Sequence, residues 1–470
     1  MRLFVDRPLA LLVALMVALL FMATPARSAS PPPYGGVLRL PLMGSITRPD
    51  PIHLPTPLAA SIAASVFDTL YRCDPRGGVE PILALELPER EGRRVTIRLR
   101  PGLRRHDRRP LLAADVAASL LRASRSPEAG WLLADLARRG GQAEIRALDS
   151  SSLELRLSRS ELDIARILCA LPLAIVAGAQ RGAGTGPYAA RASASELRLR
   201  EHRSAPRGAP YLRELRLVPV ANREAELRAF ELDQLDGSWH GSSVYGRART
   251  RVTQTRLFPA SPILLVAGSR GGLGDPATLA ALAQAIDPHR LVALGIVPSR
   301  ALGAGLPPPS LGPAHPPASP RSLSLLIRAG DPFEARVAEG LVGILDEAGF
   351  RLRIERLEEA RYAQSRREGR WDLRLATVIP PLPGRSALLA AAFMEAGQQE
   401  MAQRLLRSRN LVDPRAASAS AARLHAIILG RRALELHHRD DLAGISFDSR
   451  GLFELDALFL RRPRLSRGRR

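Results

Sequence analysis

The chain has 470 residues, a formal net charge of +22 and a hydrophobic content of 46%. This length exceeds what one hydrophobic core organises, so two or more lobes are expected, and the hydrophobic content excludes a disordered protein. All 68 basic residues other than histidine are arginines. A chain without lysine has no P-loop lysine, Schiff-base lysine or Ser-x-x-Lys pair, which excludes the enzyme classes that need them.

The N-terminus predicts a secretory signal peptide over residues 1–28. Its uninterrupted apolar run, Leu9–Met22, is shorter than the roughly 20 residues that a membrane-spanning helix needs, and small residues precede a cleavage point near Ser28. An uncleaved N-terminal anchor is the alternative. Residues 29–36 form a predicted Pro/Gly-rich linker. No cysteine stands directly after the apolar run, where a lipid would be attached, so the pattern favours an unlipidated protein that is periplasmic or otherwise extracytoplasmic.

Because the chain is predicted to be exported, its net positive charge says little about which partners it binds. An extracytoplasmic protein does not normally meet nucleic acid, so we expect no nucleic-acid partner, and binding to an anionic polymer is the alternative. The two cysteines, Cys73 and Cys169, could pair in an oxidising compartment, but the sequence does not establish the pairing. The apolar segment around Cys169 is more typical of a buried residue than of a reactive one.

The first half of the chain mixes short strands with helices. Residues Val37–Leu42 predict a strand, Pro57–Leu70 a helix with one apolar stripe, and Asp115–Arg122 a second helix. Leucine, isoleucine and valine alternate with polar residues over Val95–Leu99 and again over Leu153–Leu157. This alternation predicts a half-solvated antiparallel sheet.

The second half predicts an α/β lobe. Strand patterns and helix patterns follow one another from Pro262 onward, and residues 298–320 predict an extended Pro/Gly-rich loop. The strands are Ile263–Ala267, Leu323–Ile327, Leu352–Ile354 and Trp371–Ala376, and the helices are Pro276–Ile286 and Phe333–Phe350, the second with Gly349 as its C-cap. Strand-helix-strand order in a lobe predicts parallel pairing.

Several short segments, taken in chain order, resemble the extracellular solute-binding proteins of ABC importers for peptides, nickel complexes and opines. The strongest is GLRRHDRRPLLAADVAASLLR. Its residues that match the family signature are Gly102, His106, Asp107, Pro110, Leu111, Asp115 and Val116. Weaker matches are SVFDTLYRCDPRGGVEPILALEL, GTGPY at 184–188, and the segments 210–236, 275–292 and 338–353 with Asp372.

The resemblance implies an α/β, two-lobe fold of the periplasmic-binding-protein type II, with an extra subdomain in the first lobe and a hinge between the lobes. We expect the first lobe over 37–262, with the inserted subdomain at about 55–180, and the second lobe over 263–432. Residues 433–470 would return to the first lobe and end in a basic tail. The hinge would lie near Pro262 and Glu435.

The resemblance also implies a function. A small solute or peptide would be captured in the interlobe cleft and delivered to an ABC permease by a monomer that needs no cofactor, no metal and no catalytic residue. A degenerate binding protein that acts as a sensor or scaffold without import is the alternative. The ligand contacts we expect are Met43, Ser45, Trp239, His240, Ile379, Pro380 and Leu382.

Three departures from the family pattern bear on structure and specificity. Arg108 stands where the family has a turn glycine, and Leu112-Ala113 replaces a helix-capping threonine, a loss of about 1 kcal/mol. The segment 376–388 lacks the aspartate with which peptide binders hold an amino group, and Ile379 to Leu382 fill its place. A buried cationic ligand group there would lack a counter-charge, which costs several kcal/mol.

Four local patterns suggest other chemistry, each with a plainer interpretation. His106-Asp107 could be an acid-base pair, but adjacent residues rarely face each other, which favours a structural turn. The run 437–441 (HHRDD) could hold a metal, but consecutive residues of a strand point to opposite faces. The segment 237–241 (GSWHG) resembles a nucleophile elbow of an exported hydrolase, without a central serine. Trp239 is either a ligand platform or a packing residue.

Overall fold

A computed structural model of the protein describes residues 31–43, 48–74, 76–178, 182–244, 252–257, 261–268, 273, 276–297, 321–369, 371–407 and 420–462. The predicted signal peptide, Ser45, the predicted loop 298–320 and most of the basic tail lie outside these residues.

The described strands are β1 (Val37–Met43), β2 (Tyr71–Cys73), β3 (Val79–Pro81), β4 (Glu89–Glu91), β5 (Arg94–Arg98), β6 (Arg138–Arg139), β7 (Gln142–Ala143), β8 (Ile145–Ala147), β9 (Ser152–Arg156), β10 (Tyr188–Ala192), β11 (Leu197–Glu201), β12 (Glu214–Val220), β13 (Gly237–Ser238), β14 (Val252–Leu257), β15 (Pro262–Ala267), β16 (Ile296–Val297), β17 (Arg321–Arg328), β18 (Phe350–Leu357), β19 (Leu373–Thr377), β20 (Ala426–Arg432), β21 (Leu434–Arg439), β22 (Leu442–Ala443) and β23 (Phe459–Leu460).

The described α-helices are α1 (Pro57–Val66), α2 (Ala113–Arg125), α3 (Ile164–Ile167), α4 (Arg223–Glu231), α5 (Pro276–Ala285), α6 (Pro288–Ala293), α7 (Pro332–Asp346), α8 (Glu359–Glu368), α9 (Arg385–Glu395) and α10 (Gln399–Arg407). Two short 3₁₀ helices cover Gly130–Leu133 and Leu171–Leu173. None of the helices in the described part of the chain is long and apolar enough to cross a bilayer.

These elements form two lobes, which confirms the predicted α/β two-lobe fold. The first lobe contains a four-stranded sheet in the order β1-β12-β11-β10 and a subdomain whose sheet has the order β4-β5-β9-β8. The second lobe contains a six-stranded sheet in the order β16-β20-β15-β19-β17-β18. A three-stranded sheet, β13-β21-β14, lies where the chain passes between the lobes.

The subdomain sheet has the antiparallel, half-solvated character that the alternation predicts. Val95 pairs with Leu155 and Ile97 with Leu153, and all four side chains are fully buried. The arginines that flank them on β5 are exposed. The alternation therefore separates a core face from a solvated face, as expected when the side-chain period is two.

The second-lobe sheet is mixed, so the prediction of a parallel lobe was wrong for half of it. β17 runs parallel to β18 and β19, as the helical crossovers through α7 and α8 allow. β15 is antiparallel to both β19 and β20. The reason is topological: β15 brings the chain into this lobe and β20 takes it out, so these neighbouring strands must run in opposite directions.

Two predicted helices are shorter than expected. The first ends at Val66 because Phe67 is extended, which lets Asp68 turn inward to an ion pair with Arg207. The second ends at Asp346, and Gly349, at φ +82°, closes the turn that leads into β18. A residue other than glycine is strained at that angle, so Gly349 does act at the end of the helix.

Cys73 and Cys169 form a disulfide with a Cα–Cα distance of 5.7 Å. The bond ties β2 to the segment after α3 across 96 residues of sequence. Cys169 is buried, as its apolar segment predicts, but it also forms this bond and is therefore more than a packing residue. Closing so long a loop restricts the unfolded chain and stabilises the subdomain.

The two local departures from the family signature have visible structural effects. Arg108 adopts φ +67°, the left-handed region that a glycine occupies without strain. Leu112 occupies the N-cap of α2 with extended dihedral angles, but its side chain has no oxygen that could accept a backbone N–H of the helix. Only the Asp115 carboxylate compensates, because it accepts the backbone N–H of Leu112 at 3.1 Å.

We expect Leu112→Thr to raise the free energy of unfolding by about 1 kcal/mol, because threonine supplies the missing N-cap oxygen. The backbone is already extended at this position, and the leucine side chain is 41% exposed, so the exchange removes little packing. Chemical denaturation of the two proteins measures the difference. Leu112→Ala is the control, and equal stabilities of the threonine and alanine variants would contradict the capping argument.

Candidate functional site

A cavity of about 420 Å³ lies between the two lobes. The first lobe contributes residues from the segment before α1, from the 3₁₀ helix after α2 and from the segment after α3. The second lobe contributes residues from α8, from the end of α9 and from the loop after β19. The first-lobe wall contains Ile52, His53, Leu54, Pro55, Pro127, Glu128, Trp131, Leu171 and Pro172. A ligand in this space would contact both lobes at once.

The apolar part of the wall combines two tryptophans with a proline-rich loop. Trp131 comes from the first lobe and Trp371 from the second, while Ile379, Pro380 and Pro381 follow β19. The backbone N–H of Leu171 donates to the carbonyl of Pro381 at 3.1 Å, so this loop is bonded to the opposite lobe. Large aromatic surfaces with a few placed polar groups are typical of small-molecule sites.

A fully buried arginine supports the floor of the cavity. Arg374 lies in the centre of β19 with no exposed surface and donates to Tyr362 Oη at 3.0 Å and to Glu395 Oε2 at 2.9 Å. Arg366 lies 3.0 Å from the other oxygen of Glu395. Burial opposes ionisation of Glu395, but the two arginines outweigh it and hold the pKa of that carboxyl below its usual value.

A second charge cluster joins α7, α8 and the end of β17. Arg328 donates to Glu334 at 2.6 Å and to Glu359 at 3.1 Å, and its guanidinium stacks on the Tyr362 ring. Burial raises the pKa of Glu334 to about 7, with Arg328 acting in the opposite direction. Arg328, Glu359 and Tyr362 line the cavity, so the charges in this part of the wall largely neutralise each other.

Two ion pairs and one histidine–carboxylate contact connect the lobes around the cavity. Arg407 of α10 forms a bidentate pair with Asp135, at 2.7 and 2.8 Å. Arg367 lies 3.8 Å from Glu128. His53 lies 4.0 Å from Glu359. Together with the Leu171–Pro381 bond, these contacts hold the lobes close to each other.

The residues we predicted as ligand contacts are divided among three places. Ile379 and Pro380 line the cavity, whereas Leu382 is 1% exposed and belongs to the core beneath that loop. Trp239 and His240 lie in the first lobe and are not part of the wall. Met43 is the last residue of β1, and its side chain lies outside the described part of the structure. Ser45 lies outside it as well. Their contact with a ligand stays a prediction.

The charged residues of the wall were not among the predicted ligand contacts. Arg328, Glu359, Arg366, Arg367 and Glu395 belong to no recognisable motif. In a chain with 68 basic residues, an arginine carries little information by itself. The only available signal was the helical spacing of Tyr362 and Arg366, four residues apart on one face of α8.

His106 and Asp107 do not form a catalytic pair. Arg105 donates to Asp107 at 2.6 Å and to Asp115 at 3.2 Å. His106 faces the other way: its Nδ1 accepts the N–H of Gly184 at 3.2 Å, and its Nε2 lies 3.1 Å from the carbonyl of Gly186. The signature histidine therefore joins two turns of the first lobe, which agrees with the structural interpretation.

The segment 237–241 is organised by one buried carboxylate. Ser238 Oγ donates to Glu226 Oε1 at 2.8 Å, and His240 Nδ1 lies 2.8 Å from Glu226 Oε2. Ser238 has no exposed surface and gives its proton to the carboxylate rather than to the histidine. A nucleophile needs access to substrate and a base on its own proton, so this geometry does not favour a hydrolase. Trp239 packs edge-on against Phe453.

The histidines at 437–438 lie on β21 and do not converge. His438 is buried and bonds Thr255 at 2.8 Å, while the pKa of His437 is lowered by its burial. No group of three metal-ligating side chains occurs among the residues that the structure describes.

Comparison with known families gives a match over more than half of the chain. The family described as bacterial extracellular solute-binding proteins, family 5 Middle, matches residues 78–323. Comparison with curated protein sequences gives no match.

Solved structures share the fold at low sequence identity. DppA from Helicobacter pylori, in complex with the peptide STSA, superposes with a TM-score of 0.71 at 14% identity, covering 92% of this chain and 99% of the other. NikA from Brucella suis, in complex with Fe(III)-EDTA, gives 0.67 at 17% identity, with coverages of 90% and 99%. AgaA from A. tumefaciens R10, in complex with agropinic acid, gives 0.68 at 16% identity, with coverages of 90% and 97%.

We expect acid to destabilise the protein through His106. Burial and the neighbouring His202 lower the pKa of His106 to about 4, against an ordinary value of 6.5. The unfolded chain takes up a proton below pH 6.5 and the folded chain does not until about pH 4. The contribution of neutral His106 to the free energy of unfolding is therefore fully present above pH 6.5 and decreases as the pH falls to 4. At pH 5 the loss amounts to about 2 kcal/mol.

Denaturation of the wild type and of His106→Asn at pH 7 and pH 5 measures this effect. Asparagine keeps an acceptor for Gly184 and cannot be protonated, so its stability should change less between the two pH values. Equal pH dependence in both proteins would assign the acid sensitivity to other groups.

Proposed function

The chain belongs to family 5 of the bacterial extracellular solute-binding proteins, and from that premise we infer that it captures a small solute between its lobes and delivers it to an ABC-type importer. The single observation that carries the proposal is the cavity of about 420 Å³ whose wall comes from both lobes. A solute that contacts both lobes favours the closed form over the open one, and a permease can recognise that difference.

The hinge in this proposal lies near Pro262 and Glu435, with lobes at 37–262 and 263–432 and residues 433–470 returning to the first lobe. Two observations support it. β15 and β20 are hydrogen-bonded neighbours in the second lobe, and each continues into a strand of the three-stranded sheet, β14 before and β21 after. Two adjacent crossings of this kind permit rotation about one axis with few broken contacts.

An extracytoplasmic location, after removal of residues 1–28, is part of the proposal. The disulfide between Cys73 and Cys169 supports it, because such bonds persist in oxidising compartments and are rare in the cytosol. We further propose that the protein acts as a monomer beside an inner-membrane permease. The solved relatives named above hold a peptide, a metal chelate and an opine-type acid, which gives the ligand classes to test first.

We expect the protein purified from its own cells to carry a solute that native mass spectrometry detects as an added mass. Ligands of the right class should also raise the melting temperature by mass action on the folded state. A screen of peptides, opines, sugars and metal chelates that gives neither a bound mass nor a thermal shift would contradict solute capture.

Tryptophan fluorescence gives a control for the site of binding. Trp131 and Trp371 line the cavity, whereas Trp239 packs against Phe453 away from it. A ligand in the cavity should change the emission of Trp239→Phe as strongly as that of the wild type. Loss of the signal in Trp239→Phe would move binding to the first-lobe residues Trp239 and His240.

We expect the pair between Arg407 and Asp135 to favour the closed form. Asp135 is mostly buried and the pair is bidentate, so its loss should shift the open-closed equilibrium by about 1 kcal/mol, or about fivefold. Small-angle X-ray scattering of ligand-free Arg407→Gln should show a larger radius of gyration than the wild type. Arg404→Gln, an exposed arginine on the same helix, is the control, and identical scattering from both variants would contradict the role of the pair.

A further inference from the structure

The carboxylates that line the cavity are already bound to arginines of this chain. Glu395 lies between Arg366 at 3.0 Å and Arg374 at 2.9 Å. Glu359 accepts a hydrogen bond from Arg328 at 3.1 Å. A ligand ammonium group at either carboxylate would have to displace a guanidinium, or lie beside it at a cost in repulsion.

The third carboxylate of the wall, Glu128, is also engaged. One of its oxygens accepts the Ser126 hydroxyl at 2.7 Å, and the other lies 3.8 Å from Arg367. The proline-rich loop after β19 has no acid from Thr377 to Gly384. The described wall therefore offers no carboxylate without a cationic neighbour to an incoming cation.

One side-chain donor of the wall remains open to a ligand. The indole N–H of Trp371 and the Nε of Arg374 lack acceptors, but both atoms are buried and offer no surface to the cavity. Arg367 is half exposed, and its separation from Glu128 is too long for a hydrogen bond, so its N–H groups are available to a ligand. Unmet donors in a closed site call for an acceptor on the ligand.

The charge balance limits that acceptor to a single negative charge. Arg366, Arg374 and Glu395 together carry one excess positive charge, and Arg367 with Glu128 is neutral. Arg328 with Glu334 and Glu359 carries one negative charge when Glu334 is ionised and none when it is protonated. With Glu334 protonated these groups carry one positive charge in total, which a monoanion balances and a dianion exceeds.

We propose that the ligand is a small monocarboxylate without a free amino group, whose carboxylate is held by Arg367 of α8. This inference rests on the proposed function and narrows its substrate class. Arginine suits the role because its planar guanidinium pairs with a carboxylate through two parallel hydrogen bonds. Arg367 lies in the last turn of α8 and lines the cavity.

Three dialanine derivatives separate the charge requirement from the shape requirement, and the two acetylated ones are matched in size. N-acetyl-dialanine is a monoanion, dialanine amide is a monocation, and N-acetyl-dialanine amide is neutral. Isothermal titration calorimetry at neutral pH should give the tightest binding for the monoanion. We expect a difference of about tenfold or more from the monocation, since one charge-assisted pair is gained and one repulsion is avoided.

Arg367→Gln should weaken binding of the monoanion by about tenfold and leave binding of the neutral probe unchanged. Arg367 is half exposed, so the variant keeps its fold. Arg361→Gln, an exposed arginine at the start of the same helix and outside the cavity wall, is the matched control.

The outcomes separate this inference from solute capture itself. Equal or tighter binding of the monocation, or unchanged monoanion binding in Arg367→Gln, overturns the carboxylate assignment and leaves capture intact. If no dipeptide binds, the solute found by native mass spectrometry decides: a monocarboxylate supports the inference, and a cationic or uncharged solute overturns it. A protein that carries no solute and binds none in the screen removes the proposed function and this inference together.

Discussion

The cavity between the lobes depends on one buried charge. Arg374 lies in the middle of a core strand with no contact to water, and a guanidinium in that position is tolerated only when its donors are met. Tyr362 from α8 and Glu395 from the end of α9 meet most of them. The arginine thus fixes two helices against β19, and those helices supply eight of the 19 second-lobe residues that line the wall. Removing one partner of such a pair typically costs about 3–5 kcal/mol, so the wall is rigid where a ligand would meet it.

The same constraint explains why the lobes lie close together around the cavity. Every carboxylate that lines the described wall has an arginine near it, so closure buries no acid without a counter-charge. The interlobe contacts then add favourable terms of modest size, chief among them the bidentate Arg407–Asp135 pair.

The fold could be predicted from the sequence because its signals are strong and local. The alternation of apolar and polar residues predicted the subdomain sheet, and the segment from Gly102 to Val116 indicated the family. Within that segment, Arg108 adopts φ +67° at the turn position where the family has glycine. The direction of β15 could not be predicted, because it depends on where the chain enters the lobe and not on the residues of the strand. Likewise, Asp68, just beyond the end of α1, forms an ion pair with a residue far along the chain, which no local pattern indicates.

The site was harder to predict than the fold for a physical reason. Ile379 and Pro380 were found because they replace an expected aspartate, so their departure from a pattern was visible. The arginines and glutamates of the wall acquire a role only through pairing across elements distant in sequence, as Glu395 does with Arg366 and Arg374. The loss of one carboxylate after β19 and the engagement of the others by arginines act in the same direction. Together they leave the described wall with no carboxylate that lacks an arginine neighbour, and the proposed specificity rests on arginines that composition alone would assign to the surface.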